Sequence, residues 1–135
     1  MAETAIELGD EGHVGVLGLR LVAQGEDWAE LVFDYDPRLA MSVGSGIIAS
    51  GPIISLIDTA SGAAIIARNK KFRPMATLDL RIDYMRTAVP GRSLTARATC
   101  YRITRNVAFV RCEAHDGDPD DPVACAMASF FFTAD

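Results

Sequence analysis

Residues 44–70 read GSGIIASGPIISLIDTASGAAIIARNK, and residues 76–84 read ATLDLRIDY. The two stretches have different periods. From Ile53 to Ala67 nearly every residue is apolar or small, and a helix that is apolar all round is a buried helix. Gly51-Pro52 suits its start, because proline at the first helical position gives up no needed hydrogen bond; Ser50 or Gly51 is then the N-cap. Arg68 and Lys70 suit its end, where cations complement the negative helix pole. In the second stretch Thr77, Asp79, Arg81 and Asp83 alternate with Leu78, Leu80, Ile82 and Tyr84. That alternation marks a half-buried strand with the polar set facing outward.

Working outward, Pro90-Gly91 is a turn, and 94–103, 107–115 and 123–133 read as three more strands. Residues 116–122 form an acidic, turn-rich link. Upstream, 27–35 (DWAELVFDY) is a strand that breaks at Asp36-Pro37, while 14–22 has no decisive period. Consecutive strands joined by short turns should pair antiparallel. A single buried helix needs a curved sheet to cover it. The expected fold is α+β, an antiparallel sheet of five to six strands wrapped around a long central helix, with residues 1–135 as one domain. One helix flank and a sheet edge stay open, which predicts pairing between subunits.

A chain of 135 residues, half apolar and 23% charged, is one folded domain. A net charge of -5 argues against sequence-independent nucleic-acid binding, which needs clustered Lys and Arg. Cys100, Cys112 and Cys125 are odd in number, lack a CxxC and lie in apolar segments. They read as reduced thiols of a cytoplasmic protein. The opening MAETAIELGDEGH has no signal-peptide pattern. Residues 39–57 carry no charge, yet their glycines, serines and Pro52 fit a buried loop and helix better than a membrane span. His13 and His115 are isolated and read as surface residues, so no metal site or other cofactor is expected. No cysteine has the neighbours of a nucleophile.

Asp58 is the only charged residue between Arg38 and Arg68. Burying a carboxylate is unfavourable by several kcal/mol unless it is paired, and burial would raise its pKa toward the range of a general base. A structural reading pairs it with Arg81 or Arg86. A functional reading starts from the Gly/Ser-rich turn before it, which feeds a helix N-terminus with free N–H groups and a positive pole. Such a place stabilises a carbonyl oxygen gaining negative charge. A carboxylate base within a turn or two of it is the equipment for acyl transfer to water.

These residues resemble the hotdog-fold acyl-CoA thioesterases related to the phenylacetate-degradation thioesterase, in the 4-hydroxybenzoyl-CoA thioesterase superfamily. That family carries G-x-x-H-G-G, six residues, then an acid on the central helix. Here the match is Gly46 to Gly51, PIISLI, then Asp58. The resemblance runs from about Leu17 to Phe132. It implies hydrolysis of an acyl-CoA to an acid and free CoA, with Asp58 activating water or attacking directly. The backbone N–H of Ser50 would polarise the thioester carbonyl, Gly51 matching the second glycine, with no cofactor. It also implies a site between subunits, hence a homodimer or homotetramer.

The departures are Ala49 for the motif His, Ser50 for a Gly, and Val43 where many relatives carry Asn. A backbone donor survives any substitution but proline. The outcomes are a weakened thioesterase, one using Ser45, Thr59 or Ser61 as substitute polar groups, or a fold kept for binding acyl-CoA or an acyl carrier without turnover. A dehydratase is disfavoured, since it needs a His near the central helix. Ser61, three residues after Asp58, either meets the substrate or is merely small; Ala49 and Thr59 would lie beside the substrate, Thr59 mainly as packing. Arg86, Arg102, Arg105 and Asn106 lie near strand ends, where arginine suits the CoA phosphates, although a solvated arginine is the commoner case.

Overall fold

A computed structural model describes residues 6–135; residues 1–5, part of the stretch read for a signal peptide, lie outside them. The elements are helix α1 (Gly12–Leu17), strands β1 (Arg20–Gln24) and β2 (Trp28–Phe33), helix α2 (Ser50–Asn69), and strands β3 (Met75–Tyr84), β4 (Leu94–Ile103), β5 (Val107–His115) and β6 (Ala124–Phe132). A short 3-10 turn, Pro37–Leu39, follows the expected break. The undecided segment thus supplies α1 and β1, and the sheet has six strands in the order β1-β2-β4-β5-β6-β3, all antiparallel.

One pairing departs from expectation. β3 does not pair with its successor β4; residues 85–93 carry the chain across, and β3 closes the far edge beside β6. The helix explains this crossing. α2 lies over β2, β4 and β5, and strand β3 must come after it on the side left free.

The core fits because its partners are small. Ala96 and Ala98 on β4, Ala108 on β5 and Ala126 and Ala128 on β6 face a helix whose buried side carries Ala60, Ala63 and Ala64. Short side chains let helix and sheet approach, and Leu31, Phe33, Leu56, Ile57 and Val110 fill the remaining space with no exposure. Each fully buried Leu or Ile stabilises by about 1.5–3 kcal/mol.

α2 is not apolar on every side. Between its ends, Gly51, Ile54, Ser55, Asp58, Thr59, Gly62 and Ile66 are exposed or half-buried at a helical period and form one open flank. The helix is long and apolar enough to cross a membrane, but half of that window is buried inside the fold. Its start also differs from expectation: Ala49 is the N-cap, Ser50 the first helical residue and Pro52 the third. It ends at Lys70, whose left-handed φ of 63° stops the helix.

Candidate active site

The loop leading into α2 is closed on itself. Ala40 bridges Ile48, the Met41 N–H donates to the Ile47 carbonyl, and the Ala49 N–H donates to the Leu39 carbonyl. The Tyr35 hydroxyl donates to the Gly46 carbonyl at 2.9 Å. Gly46 has φ 67°, a left-handed conformation that favours glycine, while a Cβ there would meet Tyr35 and Pro90 at an ordinary 3.4 Å. Ala49 is thereby held extended at φ -65° and ψ 160°.

Ala49 has no side chain able to cap the helix, and the helix has no side-chain cap. The N–H groups of Ser50 and Gly51 precede the first intrahelical bond, and Pro52 has none to give. α2 therefore opens with two unaccepted donors at its positive pole among the described residues. Beside them lies a cavity of about 590 Å³ with mostly apolar walls, including Met41, Ile47, Ile53, Met85 and Val123. Ala49, Ser50 and Tyr84 also line it.

Asp58 lies two turns further along, half-buried on the open flank rather than enclosed. Neither Arg81 nor Arg86 pairs with it. Its partner is Thr77, whose hydroxyl donates to Asp58 Oδ1 at 2.8 Å. Strict alternation had put Thr77 on the outer face with Asp79. The register slips between Thr77 and Asp79, so Thr77 faces Phe130 and Asp79 faces Ser129 across β6, with Leu78 as the extra residue. This bulge turns Thr77 onto the same face as Leu80 and Ile82, whose partners Ala128 and Ala126 are buried. Nothing in the local sequence signals it.

His13, exposed as expected, places Nε2 2.8 Å from Ser55 Oγ, tying α1 to α2 one turn before Asp58. His115 is half-buried and its Nδ1 accepts from the Gly117 N–H.

Other expected residues go elsewhere. Ser61 is fully buried and donates its hydroxyl to the Ile57 carbonyl at 2.8 Å, so it faces the core and not the flank. Ser45 is taken up by its own turn, donating to the Ser42 carbonyl and accepting from the Ile47 N–H. Thr59 is half-buried beside Asp58, and Val43 is fully exposed, outside the cavity wall.

Arg86 lines the cavity, but its guanidinium grips Asp116 through two bonds of 2.9 and 2.6 Å and also donates to the Thr87 and Asp121 carbonyls. Asp116 also accepts from the Val89 N–H. The Arg86 bonds, joined by that N–H, hold the Asp116 carboxyl below its usual range despite burial, and the same bonds raise the Arg86 pKa.

Arg105 and Asn106 sit exposed in the β4–β5 turn. The row Thr77, Phe130, Ala108, Ile103 runs across the sheet to that turn, so it lies at the Thr77 end of the sheet. Arg105 has no ion-pair partner among the described residues. The cysteines are free, and burial pushes the Cys112 and Cys100 thiols up, against a thiolate nucleophile. No cluster of three or more potential metal ligands occurs among the described residues.

Comparison with known proteins agrees with this architecture. The chain is 30% identical to the medium/long-chain acyl-CoA thioesterase YigI of Salmonella typhimurium, over 87% of each chain. A solved Pseudomonas aeruginosa structure is 37% identical with a TM-score of 0.80, covering 88% of each chain. The Escherichia coli PaaI protein from the phenylacetic acid degradation operon, 19% identical, shares the fold with a TM-score of 0.77 over 90% of this chain and 83% of its own. Residues 45–123 match the family described as Thioesterase superfamily, a span that holds the opening of α2, Asp58, Thr77 and Tyr84; the chain belongs to that family.

Proposed function

We propose that this protein hydrolyses acyl-CoA thioesters to a carboxylic acid and free CoA in a site shared by two copies of the chain. Asp58 is the general base or nucleophile, and the N–H groups of Ser50 and Gly51 receive the carbonyl oxygen. The observation that carries this reading is the pairing of Asp58 with Thr77 on an open helix flank, on the same helix as two unaccepted N–H donors.

Geometry supports the sharing. Ser50 and Asp58 are separated by about 12 Å along the helix axis, from 1.5 Å of rise per residue. A carbonyl held at Ser50 must lie within about 3–3.5 Å of its attacker. Asp58 of the same copy is too far away, whereas Asp58 of a second copy laid against the open flank has no such restriction. The edge strand β3 suits that pairing: its far side has no partner strand among the described residues, and Leu78 is 59% exposed. The unit is thus a homodimer, with a homotetramer as a larger form.

The apolar cavity beside Ser50 fits an aliphatic acyl chain, in keeping with the medium/long-chain substrates named for YigI. Arg105 and Asn106 meet the CoA phosphates, and Ala49 and Thr59 flank the path. Arg86 serves as a wall with its charge held by Asp116. Free cysteines fit a cytoplasmic location.

A second reading, an acyl-CoA or acyl-carrier binding protein without turnover, is favoured by the apolar side chains at Ala49 and Val43. Free-thiol release from a panel of acyl-CoAs separates the two. The hydrolase reading expects turnover by wild type that collapses in Asp58→Asn. Equal, negligible release by both, with CoA-ester binding retained, establishes the binding protein.

A further inference from the structure

Tyr84 is the last residue of β3 and faces inward, opposite the fully buried Ala124. Its side chain forms part of the cavity wall together with Ser50, whose hydroxyl lies near enough to favour the charged phenolate. At 46% exposure it is open enough for a ligand to reach. Burial raises its pKa, only partly offset by the nearby Ser50 hydroxyl, so the phenol keeps its proton at neutral pH.

The polar side chains on the cavity wall are few. Besides Ser50 and Tyr84 there are Arg86, committed to Asp116, and the exposed Thr87. Ala49, Gly51 and Pro52 around the helix opening carry none. A hydroxyl offers one donor and two acceptor positions. Among the described residues no acceptor takes the phenol proton, so it is free for a ligand at the opening of α2.

We propose that Tyr84 is a catalytic residue, its phenol O–H donating to the thioester carbonyl oxygen alongside the Ser50 and Gly51 N–H groups. This inference rests on the reading that the carbonyl binds at the opening of α2. One copy then supplies the donors, Ser50, Gly51 and Tyr84, while the other supplies Asp58 and Thr77. The phenol keeps its proton throughout: it strengthens a hydrogen bond as the oxygen gains charge, and that bond weakens again when the carbonyl re-forms and the CoA thiolate leaves.

The test uses Tyr84→Phe in the full-length protein, which keeps the ring and removes the oxygen. Two readouts are taken. In steady-state hydrolysis, kcat falls at least tenfold, on the scale of a lost oxyanion donor, while KM and melting temperature stay close to wild type. In the second, a CoA-ester analogue with a methylene in place of the thioester sulfur, enriched with 13C at the carbonyl, is bound to wild type and variant. Its carbonyl resonance moves downfield in wild type and loses part of that shift in Tyr84→Phe. A hydroxyl that merely ties Ser50 to β3 would lower the melting temperature and leave the carbonyl resonance unmoved.

Unchanged kcat and an unchanged resonance, with hydrolysis intact, overturn the role of Tyr84 and leave the hydrolase reading standing. No turnover by wild type, with a resonance that still responds to Tyr84→Phe, overturns hydrolysis and keeps the contact. No turnover by wild type together with an analogue that fails to bind overturns both.

Discussion

The Thr77 hydroxyl donates to Asp58 Oδ1 at 2.8 Å, joining an edge strand to the open flank of the central helix. The bond fixes the carboxylate rotamer through one oxygen and leaves Oδ2 for water. Thr77→Val keeps the shape and removes the donor, so kcat should fall about tenfold, less than the 10²–10⁴-fold of a positioned base because the carboxylate itself remains, with KM steady. Thr77→Ser should restore most of it. Because Thr77 is exposed, stability should change by no more than about 0.5 kcal/mol. Steady-state kinetics with a thermal melt read all three.

Asp58→Asn should be more severe. The amide oxygen still accepts from Thr77, so the fold is preserved, but the site loses its proposed base. Thiol release should drop by about 10²–10⁴-fold, the range for a general base. The melting temperature should hold, since Asp58 is half-buried and makes no ion pair among the described residues.

Arg105 in the β4–β5 turn offers a separate handle on binding. Arg105→Ala should raise KM for acyl-CoA severalfold and leave kcat unchanged, the signature of uniform binding lost. The wild-type KM should climb with added salt, and the variant's should climb less, because an exposed charge pair is screened. A salt series of initial rates on both proteins checks this.

What the sequence discloses and what it hides divide along physical lines. The long strands and α2 were legible because burial imposes a period on their side chains, as in Leu94, Ala96, Ala98 and Cys100 of β4. Asp58 stood out as a lone charge in an apolar run. Thr77 was hidden because a bulge breaks the period without changing composition, and β3 was misplaced because sheet order depends on where the helix leaves room. Asp116 looked like one more acid in a turn; only the fold brings it to Arg86. Ser61 could be read either way because three residues along a helix mark neighbouring positions, and here the core boundary runs between them.

The Arg86–Asp116 pair predicts a pH dependence. The Asp116 pKa is lowered in the fold, first by its bonds to Arg86. Its stabilisation is therefore fully present above the unfolded carboxylate value of about 3.9 and is lost as pH falls from there toward the folded value. Asp116→Asn should flatten the melting curve in that acid window. At neutral pH it should destabilise by at most about 3 kcal/mol, since Arg86 loses its buried charge partner and keeps only the exposed Asp121 carboxylate. Thermal melts of both proteins from neutral pH down into the acid range measure the two effects.

A shared site makes a prediction that no single-copy site can meet. Ser50→Pro removes one backbone donor and should still fold, because the first helical position tolerates proline and Ala49 before it is already extended. Ser50→Pro and Asp58→Asn should each be inactive alone. Co-expressed and purified together, they form mixed dimers in which the intact Asp58 of one chain meets the intact Ser50 of the other. Random pairing makes about half of the dimers mixed, each with one intact site of two, so about a quarter of wild-type turnover should return. If Ser50 and Asp58 of one chain acted together, every site in the mixture would carry a defect and no activity would return. Thiol release from the co-expressed sample, set against the two variants purified separately, decides the matter.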